Sequence, residues 1–235
     1  MPSSAPPFQL FGTDHLVVLF LTVITAAILI YAVRRWGEES VGTKRSLQVL
    51  AWMLLLSYPA KVAAFVAAKE PLLDNGLPMH LCNWAAIMGF LALTTKRQLF
   101  CELLYFWGLA ATLQAVITPN VPYGFPHPIF FVFFTVHSGV VIAAVVVAFG
   151  MCRQPQRGGV SRAFLGAQVY FIIAGLTNLL IGSNYGFLRK KPETASLIDH
   201  LGAWPYYIVA LEILALVLFA LLNLPFLKKQ RQALT

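Results

Sequence analysis

Seven apolar stretches, most of them long enough to cross a bilayer as a helix, dominate this chain. A membrane-spanning helix needs about 20 apolar residues, because hydrocarbon offers no water to satisfy an exposed backbone. The stretches cover residues 15–33, 47–68, 78–93, 98–118, 128–150, 163–181 and 203–226, and the third is the shortest. The sequence therefore predicts an all-α integral membrane protein, a seven-transmembrane-helix bundle that forms a single domain over residues 1–235.

The composition excludes a soluble globular domain. Of the residues, 59% are hydrophobic and 11% are charged, whereas soluble domains average roughly 45–50% apolar and about a quarter charged. In a soluble chain the net charge of +8 would indicate a nucleic-acid partner. Here the charges lie mostly between the apolar stretches, so membrane topology explains them and no nucleic-acid partner is expected.

Lysine and arginine are distributed unevenly between alternate connections. Of the 17 such residues, twelve lie in connections on one side of the membrane, four lie on the other side, and Lys61 lies inside the second stretch. Cytoplasmic loops carry the excess of positive charge in membrane proteins. This distribution predicts an outside N-terminus, a cytoplasmic C-terminus and a multi-pass location in the cell inner (plasma) membrane.

Polar and ionisable side chains concentrate in the outer halves of the predicted spans. At about 1.5 Å per residue, the deepest of them lie roughly 14 Å from the outer surface. Such side chains are costly in hydrocarbon and are candidates for function. We therefore predict a polar cavity on the extracytoplasmic side. The residues expected to bind a substrate there are Lys61, His80, Asn83, Gln114, Asn178, Asn184, Tyr185, Lys191, Tyr206 and Glu212.

Cys82 is the candidate nucleophile of this cavity. The other two cysteines lie near the opposite ends of their spans, so a disulfide with Cys82 is geometrically excluded. A thiol needs a base for activation. If the third helix starts near residue 78, His80 lies about 200° around its axis from Cys82, which makes His137 on another helix the better base. The alternatives are that Cys82 is a small buried hydrophobe and that His137 is a structural histidine.

Lys61 and Glu212 have opposite charges and similar predicted depths. They are expected to be able to form a buried ion pair between the second and seventh helices. This pair has a purely structural interpretation, and two functional ones: binding of an anionic head group by Lys61, and proton relay through Glu212. The sequence has no ligand spacing typical of a metal site, so neither a metal nor another cofactor is predicted; a zinc ion bound by His80, Cys82 and His137 is the open alternative.

Several motifs together resemble the YwaF-type bacterial integral membrane proteins. The matching segments are 77–83 (LPMHLCN), Gln114 with Thr118-Pro119, 130–137, Asn184-Tyr185 with Lys191-Pro192, and 201–207 (LGAWPYY). That family is distantly similar to an animal seven-span acyltransferase of ether phospholipids, and more remotely to the androgen-induced transmembrane hydrolases of fatty-acid esters. The resemblance implies acyl transfer or acyl hydrolysis on a membrane lipid, with Cys82 as nucleophile and His137 as the histidine base.

Two functions are open from the sequence. In the first, the protein is a lipid acyltransferase or acyl hydrolase in which Gln114, Asn178 or Asn184 donates a hydrogen bond to the oxyanion. In the second, it is a transporter or small-molecule sensor that uses Lys61 and Glu212 in the same cavity. The lipid bilayer is a partner in both, a membrane lipid is the substrate in the first, and the sequence does not give the oligomeric state.

Overall fold

The structure, a computed structural model, describes residues 6–192 and 197–232. Within these ranges it has no named β-strand, and its helices of more than five residues are α1 Thr13–Trp36, α2 Val41–Ala67, α3 Leu81–Thr95, α4 Gln98–Ile117, α5 Pro128–Gly150, α6 Gly159–Ile181, α7 Tyr206–Phe226 and α8 Leu227–Gln232. Six of them, all except α3 and α8, are long and apolar enough to cross a membrane. The predicted all-α, multi-pass architecture is confirmed at this level.

The third predicted span is where the structure departs most from the prediction. α3 begins at Leu81, not near residue 78, and has 15 residues. Its length is about 22 Å at 1.5 Å per residue, which is less than the ~30 Å hydrocarbon core. His80, the residue before it, has an extended backbone with φ −82° and ψ 146°, so the helix cannot start earlier. Residues 1–5, 193–196 and 233–235 of the predicted single domain lie outside the described residues.

α4 and α5 form the centre of the bundle. Of their most apolar segments, 61% and 67% of the residues are buried, against 11% to 22% for the other long helices. α4 packs on α3 and α6, whereas α5 packs on α1, α2 and α3. The peripheral helices turn apolar side chains outward, among them Leu180 of α6, which is 84% exposed. A lipid environment suits this surface, because hydrocarbon accepts apolar side chains that water would not.

Both central helices contain a π-helical turn. In α4 it covers Gly108–Thr112, and in α5 it covers Val146–Gly150. Such a turn accommodates one residue more than a regular α-helical turn. The α4 turn also packs tightly on α5, since a Cβ added to Gly108 would lie 3.1 Å from the Ala144 Cβ. Glycine at this position therefore allows the two central helices to approach closely.

Most of the lysines and arginines lie at one end of the bundle, which we call the basic end (residues 34–45, 96–97, 151–162 and 228–232). Two connections meet there, because Lys96 Nζ lies 2.6 Å from Glu39 Oε1 and 3.1 Å from Glu38 Oε1. Hydrogen bonds from Lys96 and Lys44 lower the pKa of the Glu39 carboxyl to about 2. This carboxyl therefore stays ionised throughout the physiological pH range.

A buried ion pair joins α4 to α6 near the basic end. Glu102 is 0% exposed, and its Oε2 accepts a hydrogen bond of 2.7 Å from Arg162 Nε. Its Oε1 accepts hydrogen bonds from Arg162 Nη2, Gln98 Nε2 and the Gln156 backbone N–H, at 2.9 to 3.0 Å. Because both carboxylate oxygens are satisfied, the charge of Glu102 is tolerated inside the bundle.

Arg162→Leu is expected to destabilise the protein by about 3 kcal/mol, because it leaves the Glu102 carboxylate buried without its counter-charge. Thermal unfolding of the detergent-purified protein measures this effect. Arg157→Leu is the matched control, since the Arg157 side chain is exposed. Equal unfolding temperatures for the two variants would contradict a stabilising role of the pair.

The opposite end of the bundle is built from long connections, and we call it the loop end (residues 6–12, 68–80, 118–127, 182–192 and 197–205). The connections are tied together by backbone hydrogen bonds. Phe8 N–H donates to Pro122 O at 3.2 Å, Leu77 N–H donates to the Tyr185 hydroxyl at 2.9 Å, and Asn184 N–H donates to the Asp74 carboxylate at 2.6 Å. These contacts hold the loops over one end of the helices, where the candidate site lies.

Candidate functional site

A cavity of about 470 Å³ opens at the loop end of the bundle. Residues of α2 to α7 and of three connections form its wall, which is mostly apolar and extends as far as Trp107 and Phe219. Both its size and its few polar groups are typical of small-molecule sites. It is lined by seven of the twelve predicted site residues: Lys61, His80, Cys82, Asn83, Gln114, His137 and Glu212.

His137 lies on α5 with its ring held in one orientation. Its Nδ1 is 2.6 Å from the Phe133 carbonyl oxygen, one helical turn earlier, and the ring stacks on that of Phe133 with a centroid distance of 4.1 Å. A carbonyl oxygen only accepts, so this hydrogen bond assigns the ring proton to Nδ1. Nε2 is then left with a lone pair, as a general base requires.

Cys82 is the second residue of α3, and its side chain lines the cavity. The His137 ring lines the same cavity, and the thiol interacts with it electrostatically. The first turn of a helix carries a partial positive charge from its free N–H groups, which favours an anion such as a thiolate. The structure thus brings together the two residues that the sequence predicts as nucleophile and base.

His80, one of the predicted binding residues, lies on the cavity wall with these two residues. A helix that starts near residue 78 would have turned it about 200° away from Cys82. Because α3 starts at Leu81, His80 is its N-terminal flanking residue and is free of the helical spacing. Its Nε2 donates to the Asp74 carbonyl oxygen at 2.8 Å, and its Nδ1 accepts from the Gly186 N–H at 3.4 Å. Both ring nitrogens therefore serve to hold the loops.

Lys61 and Glu212 both line the cavity, but they do not form the predicted ion pair. The Glu212 carboxylate accepts a hydrogen bond from Gln168 Nε2 on α6. The Lys61 ammonium lies 5.5 Å from the centroid of the Phe65 ring and forms no ion pair within the described residues. It lines the same cavity as Cys82 and His80.

Three predicted binding residues instead build the loop end. The Asn178 Oδ1 accepts hydrogen bonds from the Tyr185 N–H and the Ser183 hydroxyl, and its Nδ2 donates to the Tyr185 carbonyl oxygen. The Asn184 Oδ1 accepts from the N–H groups of Arg189 and Lys190. Because these amides satisfy backbone groups of the loop, Asn178 and Asn184 have little capacity left for an oxyanion, and neither they nor Tyr185 line the cavity.

Lys191 and Tyr206 also lie outside the cavity wall. The Lys191 ammonium donates to the Asp199 carbonyl oxygen at 3.2 Å and lies 5.9 Å from the Tyr207 ring centroid. The Tyr206 side chain is exposed at the start of α7. Both residues belong to the outer surface of the loop end rather than to its interior.

The model of the TMEM164 family matches residues 10–223. The chain belongs to the TMEM164 family. It is similar to a protein of Treponema pallidum (strain Nichols), described as "Uncharacterized protein", with 32% identity over 161 residues. The alignment covers 66% of this chain and 64% of the relative, so the chain spans less than two thirds of that protein's length. No solved structure matches the chain.

The TMEM164-family assignment and the apolar helices together define a multi-pass membrane protein that associates with the lipid bilayer. Among the described residues of this TMEM164-family chain, no group of three or more His, Cys, Asp or Glu side chains is arranged to hold a metal.

Tyr170 lines the cavity, although the sequence analysis did not select it. It lies on α6, and its ring packs edge-on against Trp84 of α3 at a centroid distance of 5.5 Å. A tyrosine in the middle of an apolar span was the available signal, because aromatic residues of the membrane interface lie nearer the ends.

Proposed function

We propose that this TMEM164-family protein transfers or hydrolyses an acyl group of a membrane lipid, with Cys82 as nucleophile and His137 as base. The observation that carries the proposal is that the Cys82 thiol lines one cavity with a histidine ring whose Nδ1 is bound to the Phe133 carbonyl oxygen. A nucleophile, a base and a group that orients the base form the arrangement that covalent catalysis requires.

The reaction follows from these positions. His137 Nε2 takes the thiol proton as the Cys82 sulfur attacks the ester carbonyl carbon. The carbon–oxygen bond to the leaving alcohol then breaks, and His137 returns the proton to that alcohol. A second hydroxyl compound, or water, gives its proton to His137 and attacks the thioester, which releases the acyl group and restores the Cys82 thiol.

A lipid substrate fits the composition of the cavity. Its deep part is lined by Trp107, Leu218 and Phe219, which can hold an acyl chain. Lys61 offers a positive charge near the thiol for the phosphate of a head group. Gln114 and Glu212 provide polar contacts on the wall.

The proposal is tested by trapping the acyl enzyme in membranes. We expect an alkyne-tagged p-nitrophenyl palmitate to leave its acyl group on Cys82, identified by mass spectrometry and removed by neutral hydroxylamine. Cys82→Ala should abolish this product, whereas Cys101→Ala, which changes a cysteine buried elsewhere, should retain it. Absence of an acyl group on Cys82 of the unmodified protein would refute the proposed chemistry.

We further propose that α3 acts as a seventh span of a single-domain bundle in the inner membrane, with the loop end outside and the basic end in the cytoplasm. The excess of lysine and arginine at the basic end supports this orientation. Cys152, which is exposed at the basic end, gives the test in a Cys82→Ala background. A membrane-impermeant maleimide should label it in inside-out vesicles and not in intact cells, and the reverse result would invert the orientation.

A transporter or small-molecule sensor is the second candidate. The observation that favours it is that Lys61 and Glu212 line one cavity. They are not paired, so a ligand would have to bridge them. This function predicts ligand binding that depends on pH, is lost in Glu212→Gln and is indifferent to Cys82→Ser, whereas the acyl-transfer function predicts sensitivity to Cys82→Ser.

A further inference from the structure

Two polar groups on the cavity wall are buried without a hydrogen-bond partner within the described residues. They are the Asn83 side-chain Nδ2 and the Tyr170 hydroxyl. The two residues are 4% and 6% exposed, and both line the cavity. Buried polar groups without partners are rare, because they lose hydrogen bonds to water and gain none. Two of them on one cavity wall are unused hydrogen-bond donors for a polar atom of a ligand.

Tyr170 is placed by the groups around its hydroxyl. A Cβ added to Gly186 would lie 2.5 Å from the hydroxyl oxygen, so glycine leaves the space that this oxygen occupies. Gly186 also has a φ of +66°, a conformation that favours glycine. The hydroxyl has no partner within the described residues, which leaves its proton free to donate.

Both residues line the cavity together with Cys82. Tyr170 interacts electrostatically with Cys82. Asn83 follows Cys82 directly in the first turn of α3. Donors close to a nucleophile can reach the carbonyl oxygen of its target, since the attacked carbon and its oxygen are joined by one bond.

We propose that the Asn83 amide and the Tyr170 hydroxyl donate hydrogen bonds to the ester carbonyl oxygen that Cys82 attacks. The electron pair of the carbonyl double bond moves onto this oxygen as the sulfur–carbon bond forms, and returns when the leaving alcohol departs. Donors fixed in advance at the developing charge lower the barrier. This inference rests on the proposed function. It assigns to Asn83 and Tyr170 the role of oxyanion donors that the sequence suggested for Asn178 and Asn184, whose amides bind backbone groups of the loop end.

The donors also define the chemical class of the group that is bound. Both are neutral and each offers a hydrogen to an acceptor, which suits the carbonyl oxygen of a carboxylic ester or thioester. A phosphate would be matched by cationic partners, and Lys61 is the cation on this wall. The reacting carbonyl and an anionic head group are thus assigned to different side chains.

The test compares two reagents on the full-length protein in membranes. An N-alkyl iodoacetamide alkylates the thiol by displacing iodide, and no oxyanion forms. A p-nitrophenyl palmitate acylates the thiol through an oxyanion. We expect Tyr170→Phe and Asn83→Leu each to slow acylation by about 10²–10³-fold, with the alkylation rate unchanged. Tyr105→Phe is the control, because the Tyr105 hydroxyl donates to the Leu222 carbonyl oxygen outside the cavity wall.

The outcomes separate this inference from the function on which it rests. Acylation at the unmodified rate in both variants overturns the inference and leaves Cys82 as the nucleophile. A parallel loss of both rates also overturns it, because the residues then shape the thiol site and do not bind the oxygen. Failure of the ester to acylate unmodified Cys82 refutes the function itself. Tyr170→Phe should not lower the unfolding temperature, since it removes a buried hydroxyl that has no partner.

Discussion

Replacing His137 with alanine is expected to slow acylation of Cys82 by about 10²–10⁴-fold, the range that a positioned general base contributes. The physical reason is that the thiol loses the Nε2 lone pair that accepts its proton. The p-nitrophenol released by an activated palmitate ester measures the rate, and the protein in native membranes is the sample.

A second measurement adds free imidazole to the buffer of the His137→Ala variant. His137→Ala leaves a space beside the thiol that a free imidazole can enter, so partial recovery of the rate distinguishes a missing base from a misfolded protein. His200→Ala is the matched control, because this histidine is exposed. An unchanged rate in His137→Ala would mean that the ring has only the structural role of its contact with Phe133.

Lys61→Met is expected to weaken turnover of a phosphate-bearing ester by about 10- to 100-fold, since hydrogen bonds to charged groups contribute roughly 1.5–3 kcal/mol. Turnover of a neutral p-nitrophenyl ester should not change, because it has no phosphate for Lys61 to bind. The ratio of the two rates is therefore the measurement. Phosphatidic acid and p-nitrophenyl palmitate are a suitable pair of substrates.

Lys69→Met provides the control for overall charge, as Lys69 is exposed at the same end of the bundle. A charge that merely attracts anionic lipid to the surface would give similar losses in the two lysine variants. An equal loss for both substrates in Lys61→Met would show instead that the lysine supports the cavity and does not select the head group.

Depth along the helix axis is the part of the site that could be predicted from the sequence. Lys61, Cys82, His137 and Glu212 were placed in one half of the membrane from the rise per residue, and they do line one cavity. Rise fixes height because every residue of a helix advances by the same distance. Height alone therefore identified most of the polar wall.

Direction around the axis could not be predicted, and the errors follow from it. Asn178 has a plausible height, but its amide turns to the loop end, where it satisfies the backbone at Tyr185. The Glu212 carboxylate meets Gln168 of the adjacent helix rather than Lys61. The direction in which a side chain points depends on how neighbouring helices pack, and that packing cannot be predicted from a single sequence.

The first residue of a helix was also hard to predict, because one or two residues at its N-terminus decide where it starts. The apolar pattern continues across residues 78–80, yet α3 begins only at Leu81. The difference of three residues is small for the fold and large for the site, since it frees His80 from the helical spacing that would turn it away from Cys82. Tyr170 was not predicted for another reason. What distinguishes it is a buried hydroxyl without a hydrogen-bond partner within the described residues, and this cannot be recognised from a sequence.

The π-helical turn in α4 has a consequence for how this protein tolerates change. One extra residue shifts the remainder of a helix by about 100° around its axis relative to a regular α-helix. The segment before the turn contains Glu102, and the segment after it contains Gln114. The extra residue therefore sets the rotation of the second segment about the helix axis independently of the first segment. In a chain of this architecture, an insertion or deletion at Gly108–Thr112 can therefore change which side chains α4 presents at the loop end, while the basic end keeps its packing.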